Sequence, residues 1–262
     1  MRAALATLIL VATAWVAHAA DPEPVEIPAA IEAREIVFDL GAGATLSPKF
    51  PSSKIYQPGA VPLFGLTFLR LPYFGEVVSD KRTGSAFSLF PSFNYVTERD
   101  SSDAAYLRGI PNRDFSLELG PGVAYRYGPV RAYATLRYGF FGSEGFVGDF
   151  GANYIAQPVE RLTASIGPRV GYATANYMNT YFGVPNSATR LQTYDADGGI
   201  KDVGFTIDAT YKLTEKVRLV GRLGYRHYVG DALDSPIVKA GNEQEVEIGL
   251  GLTYRFGFDL WK

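Results

Sequence analysis

Val217-Arg218-Leu219-Val220-Gly221-Arg222-Leu223-Gly224-Tyr225-Arg226-His227-Tyr228-Val229 decides the fold. Val217, Leu219, Leu223 and Tyr225 share one parity, whereas Lys216, Arg218, Arg222 and Arg226 share the other. Successive side chains of a strand point to opposite faces, so these two faces meet different surroundings. A half-buried strand of a soluble sheet would alternate in the same way, and repetition along the chain is what separates the two cases.

The pattern recurs. Ile36, Phe38, Leu40 and Leu46 alternate with Asp39, Gly41, Gly43 and Thr45, and Phe115, Leu117, Leu119, Val123 and Tyr125 with Ser116, Glu118, Gly120, Gly122 and Arg126. Val130, Ala132, Ala134, Leu136 and Tyr138 oppose Arg131, Tyr133, Thr135 and Arg137. Leu162, Ala164, Ile166, Val170 and Tyr172 oppose Arg161, Thr163, Ser165, Arg169 and Gly171. Val203, Phe205, Ile207, Ala209, Tyr211 and Leu213 oppose Asp202, Thr206, Asp208, Thr210 and Lys212. The last run sets Val246, Ile248, Leu250, Leu252, Tyr254 and Phe256 against Glu245, Glu247, Gly249, Thr253 and Arg255. Runs of about ten residues are what a tilted strand needs to cross a bilayer. The fold expected is all-β: a transmembrane antiparallel β-barrel, apolar outside and polar within.

Tight turns are signalled at Tyr127-Gly128-Pro129, Gln157-Pro158-Val159-Glu160, Leu213-Thr214-Glu215-Lys216 and over 80–84, and long polar segments at 49–60, 98–113, 176–201 and 230–242. Outer-membrane barrels keep short turns on the periplasmic rim and long loops outside. Taking 61–78 as one strand bent at Pro72 satisfies that rule with about ten strands; splitting it at Leu71-Pro72-Tyr73 calls for about twelve. Tyr125, Tyr127, Tyr154, Tyr211, Tyr254 and Phe256 then mark the periplasmic girdle, and Tyr138, Phe140, Tyr172 and Tyr225 the outer one.

Residues 1–19, with Arg2, an apolar stretch and Ala17-His18-Ala19, have the layout of a cleaved signal peptide. Residues 20–34 read as a periplasmic lead-in and 35–262 as the barrel, placed in the outer membrane. Loss of Arg2 takes the net charge from −2 to −3, which implies no nucleic-acid partner. The chain has no cysteine, so neither a disulfide framework nor a thiolate metal site is open to it.

The inward charges are Arg126, Arg131, Arg137, Arg161, Arg169, Lys212, Arg218, Arg222, Arg226 and Arg255, with Asp39, Glu118, Asp149, Asp208, Glu245 and Glu247. In a small barrel they are expected to fill the interior as hydrated ion pairs rather than line a wide pore. No catalytic, cofactor-binding or metal-binding residue is assigned, and no cofactor is expected. His227 falls on the lipid parity near the outer rim, where a ring at the interface fits better than a general base. Asp195-Ala196-Asp197-Gly198-Gly199 with Asp202 is oxygen-rich but lacks the spacing and terminal Glu of a calcium loop. Gly120-Pro121-Gly122 and Gly249-Leu250-Gly251 lie inside alternating runs with no helix after them, so they relieve crowding rather than cradle phosphate.

Four further segments carry a resemblance: Tyr177-Met178-Asn179-Thr180-Tyr181-Phe182-Gly183-Val184, Asp197-Gly198-Gly199, Gly230-Asp231-Ala232-Leu233-Asp234-Ser235-Pro236-Ile237-Val238, and Gly249-Leu250-Gly251-Leu252-Thr253-Tyr254-Arg255-Phe256. Together with Tyr106-Leu107-Arg108-Gly109-Ile110 they resemble the MipA/OmpV family of outer-membrane proteins. The resemblance implies a non-enzymatic barrel that scaffolds a murein lytic transglycosylase and a peptidoglycan synthase. Binding of an external ligand or adhesion through the outer loops, and passage of small solutes, are the alternatives. The chain runs on from Gly257 to Lys262, past the aromatic residue at which that family usually stops.

Overall fold

The structure is a computed structural model that describes residues 15–16, 36–71, 75–79 and 85–259. Ten long strands cross the barrel: β1 (Ile36–Pro48), β2 (Tyr56–Leu71), β4 (Ser85–Val96), β5 (Ser116–Tyr127), β6 (Val130–Phe141), β7 (Phe146–Val159), β8 (Leu162–Ala173), β9 (Gly199–Lys212), β10 (Val217–Tyr228) and β11 (Gln244–Phe258). The short β3 (Gly75–Ser79) lies between β2 and β4 in the chain.

Every long strand is antiparallel to its ladder neighbours, and the ladder runs from β4 through β5 to β11, then β1 and β2. β3 folds back antiparallel on β2 and also lies against β4, so the barrel is nearly closed. This corrects the expectation of one bent strand over 61–78. The chain turns back after Leu71, and the ten-strand count survives because β3 is too short to cross. Pro72 lies outside the described residues. So do the leader 1–19, apart from Trp15–Val16, and the lead-in 20–34. Trp15–Val16 pair in parallel with Leu63 and Phe64 of β2.

The two faces separate as the alternation requires. Leu40, Leu46, Leu119, Leu136, Phe150, Ile166, Ile248, Leu250 and Leu252 are exposed and form the belt, while Asp39, Thr45, Glu118, Arg126, Arg137, Asp208, Arg218 and Arg255 are buried inside. In water that much apolar surface would drive association; in a bilayer it is solvated by lipid. Arg161 departs from the expected filling. It falls in the turn between β7 and β8 and is exposed there.

The short connections 128–129, 160–161 and 213–216 lie at one end, and 49–55, 97–115, 174–198 and 229–243 at the other. The long segments are not irregular. They contain a 3₁₀ turn (Ala105–Leu107) and three helices, α1 (Ala175–Phe182), α2 (Gly230–Asp234) and α3 (Pro236–Ala240). Ser235 caps α3 by accepting the Ile237 N–H on its side chain, and Pro236 fills the first helical position, where no backbone donor is needed.

Candidate functional site: a capped, charge-lined lumen

The outer loops fold together into a lid. Tyr177, Met178, Tyr181 and Phe182 of α1 recur with helical spacing, so they share one face and pack with Val147, Ala173, Ala196, Tyr228, Ala232 and Val238. Phe50, Leu107, Ile110, Val184 and Ile237 make a second cluster beside the first. Met178, Ala232, Ile237 and Val238 are fully buried. Gly109 adopts φ +83°, a left-handed conformation that a side chain would disfavour, and its carbonyl accepts the Ser187 hydroxyl at 2.8 Å. The backbone of Thr189 donates to Arg108 O at 3.1 Å, which ties 97–115 to 174–198.

Two buried carboxylates latch this lid to the wall. Glu118 accepts the Tyr177 hydroxyl at 2.8 Å, Asn94 Nδ2 at 3.0 Å and Arg137 Nε at 3.2 Å. Glu245 accepts the Tyr228 hydroxyl and the Ser52 backbone N–H, each at 2.6 Å. Burial first, and the Glu118 carboxylate second, hold the Tyr177 hydroxyl well above its ordinary range, so it stays a donor. Arg99 is buried in the lid, donates to Tyr181 O at 3.0 Å, and is pushed down to about 10 by burial and by the like charge of Arg113.

Below the lid the charges interlock. Arg137 reaches from Glu118 to Asp149 (2.6 Å) and also donates to Ser92 and Thr135. Asp149 pairs with Arg169, and Arg169 lies 3.4 Å from Asp202, which Lys201 also contacts. Arg222 meets Asp208 at 2.6 Å, and Arg226 lies between Glu245 (3.4 Å) and Glu247 (3.8 Å). Asp208 stands level with Arg222 and Glu245 with Arg226, whereas Glu118, Arg137, Asp149, Arg169 and Asp202 meet diagonally, each reaching two residues along the neighbouring strand. Such pairing offsets the several kcal/mol of desolvation that each lone buried ion would cost. A cavity of about 210 Å³ lies within this network, lined by Glu118, Arg137, Asp149, Arg169, Asp208 and Arg222 among others.

The residues weighed for chemistry are dispersed. His227 is on the outer parity, paired in register with Val203 and Gln244. Asp202 turns into the lumen, whereas the Asp197 backbone donates to the Asp231 carboxylate at 2.7 Å, so the acidic run does not converge on one point. Gly249 and Gly251 face inward within β11. Among the described residues no group of three potential metal ligands is found.

Sequence reading missed Lys201 and the latch tyrosines. A register shift between Ile200 and Asp202 lets the adjacent Lys201 and Asp202 both turn inward, which strict alternation forbids. Two adjacent charged residues opening a strand were the available signal. Tyr133 and Tyr228 occupy inward positions, and a Cβ on Gly151 would come within 2.5 Å of the Tyr133 ring.

Residues 40–256 match the family model for MltA-interacting protein MipA. No curated protein matches the chain. Among solved structures it is similar to the Neisserial surface protein A (10% identity, 86% of this chain, 97% of that chain, TM-score 0.27). It is similar to a major outer membrane protein from Thermus thermophilus (14% identity, 84% and 99% coverage, TM-score 0.30). It is also similar to the CymD monoaromatic hydrocarbon channel (9% identity, 96% and 99%, TM-score 0.37). The barrel assignment rests on the strand ladder itself.

Proposed function

This chain belongs to the MltA-interacting protein MipA family of outer-membrane β-barrels, and from that premise we propose a scaffold. The barrel holds a murein lytic transglycosylase and a peptidoglycan synthase against the inner surface of the outer membrane and performs no chemistry itself. A leader over 1–19 would deliver it there. One observation carries this reading: the outer loops spend their apolar residues on one another and are latched to Glu118 and Glu245. The aromatic run Tyr177–Val184, the best candidate for gripping an external ligand, is lid core, with Tyr177, Met178, Tyr181, Phe182 and Val184 buried. The periplasmic turns at 128–129, 160–161 and 213–216 are then the surface left for partners.

The absence of native cysteine makes the test clean. Single cysteines are placed at Glu160 and Glu215 in the periplasmic turns and at Asn186 in the lid, and photocrosslinked in intact cells. Recovery of a lytic transglycosylase from the turn sites and not from Asn186 is the expected result. Capture of envelope enzymes from none of the turn sites would end the scaffold reading.

A further inference from the structure

Among the described residues the barrel has a seam between β2 and β4. β4 pairs with β5 along one edge and with no strand along the other, and β2 meets β3 only over Phe68–Leu71. Trp15–Val16 sit in the seam at Leu63 and Phe64, and above them no described strand pairs with either edge. Proline suits an edge strand, where its missing N–H costs no ladder bond, and the two strands that border the seam carry Pro58, Pro62 and Pro91. The lumen cavity reaches this seam, because its lining takes in Phe93, Asn94 and Tyr95 in succession. Asn94 turns inward to Glu118, whereas Phe93 and Tyr95 stand level with Leu119 and Leu117 on the lipid face, Tyr95 stacked on Phe115 at 5.6 Å. A cavity bounded by both faces of one strand runs past that strand's edge, here the unpaired edge of β4. Pro48 and Pro51 line it too. Tyr138 and Phe140 of the outer girdle are level with Leu119 and Leu117, so the opening meets headgroups and water rather than acyl chains, and the free edge can bond to them.

We infer that the cavity seats the zwitterionic head of a glycerophospholipid that enters sideways at the outer rim, its phosphate on Arg226, its ammonium on Glu247 and its acyl chains left outside against Phe93. Among the described residues that line the cavity, five basic side chains stand against five acidic ones, so a lone anion would unbalance the wall and a head carrying both signs does not. Arg226 and Glu247 are the least covered members of the network, at 29% and 27% exposure, and lie 3.8 Å apart, near the long limit of an ion pair. They are the charges a guest can engage with the least disruption, the guanidinium fork matching a phosphate. A volume of about 210 Å³ is that of about seven molecules of liquid water, which suits a compact head and not a phosphorylated disaccharide. The site is independent of the scaffold role.

The full chain, purified from outer membranes and stripped of lipid in detergent, is set in nanodiscs holding phosphatidylglycerol and phosphatidylethanolamine in equal parts. Native mass spectrometry of the ejected barrel reads which lipid stays bound. Phosphatidylethanolamine is expected to be kept in preference to phosphatidylglycerol. Arg226→Gln and Glu247→Gln each lower that retention by about tenfold or more, as the loss of a charge-assisted hydrogen bond implies, with heat-modifiable gel mobility showing that the barrel is intact. Phosphatidylethanolamine carrying a diazirine near the top of an acyl chain labels residues 93–97, mapped by peptide mass. No preference for phosphatidylethanolamine, unchanged retention in both variants, or labelling confined to β6 to β9 would overturn the inference. Binding of glycerophosphoethanolamine, the head without its chains, as tight as that of the whole lipid would overturn it as well.

Discussion

Replacing Tyr177 by Phe removes one oxygen from the lid and leaves its packing untouched. The lost bond is the 2.8 Å hydroxyl-to-carboxylate contact with Glu118. A hydrogen bond to a charged group is worth about 1.5–3 kcal/mol. Glu118 keeps Arg137 and Asn94, so the carboxylate is not stranded and the larger cost of an orphaned buried charge does not apply. The loss falls on lid opening rather than on the barrel, because Tyr177 belongs to α1 and Glu118 to the wall. Native-state hydrogen exchange reads this directly at Met178 N–H and Gly183 N–H, which donate within the α1 segment to Thr174 O and Asn179 O. A loss of about 1.5–3 kcal/mol lowers their protection by about 10- to 150-fold while amides of β9 and β10 hold theirs. Unchanged protection in α1 would show that the latch is not what keeps the lid shut. Equal loss in β9 and β10 would show that lid and barrel open as one unit.

Arg137→Met takes the cation from buried Glu118, which keeps only the neutral donors Tyr177 and Asn94, and leaves Asp149 to Arg169, and urea titration should show a loss of about 3–5 kcal/mol. Unaltered stability would mean that water already carries those charges. Leu250→Arg puts a cation on the lipid face opposite Ala44 and should cost about 2–4 kcal/mol if Leu250 lies near the bilayer midplane, measured as reversible folding into vesicles. A neutral outcome would misplace the belt. Alkaline pH should open the lid. Burial raises Tyr106, Tyr177, Tyr181 and Tyr194 above the ordinary value of 10, and nearby carboxylates add to it at Tyr177, Tyr181 and Tyr194 while Arg99 opposes it at Tyr106, so the closed lid holds protons that the open lid releases. Closing is therefore at full strength below pH 10 and weakens as pH climbs from there towards the raised values, by up to about tenfold per pH unit for each tyrosine. Thiol labelling of Met178→Cys should accelerate above pH 10, and Tyr177→Phe should flatten that slope.

The strand faces were legible in the sequence because lipid and lumen are opposite solvents and a strand's side-chain period is fixed at two. Arg218, Arg222 and Arg226 against Leu219, Leu223 and Tyr225 could be sorted with no knowledge of their neighbours. The ten spans followed from the same alternation plus turn chemistry. The fold-back after Leu71 did not, since a bend and a hairpin at a Pro present the same local pattern and only the ladder between β2 and β3 distinguishes them.

The lid is where tertiary structure decided. Its helices are short and its apolar residues come from segments far apart in the chain, so Phe50, Leu107, Val184 and Ile237 read singly as loop residues and jointly as a core. Three of the five segments carrying the family resemblance, Tyr106–Ile110, Tyr177–Val184 and Gly230–Val238, turn out to meet there. The sequence by itself determined that this protein is a barrel with a greasy outside and a charged inside, because each strand states its two environments residue by residue. Which arginine meets which carboxylate, and that the outer loops pack into one lid, depended on the register of non-adjacent segments, which no local pattern encodes.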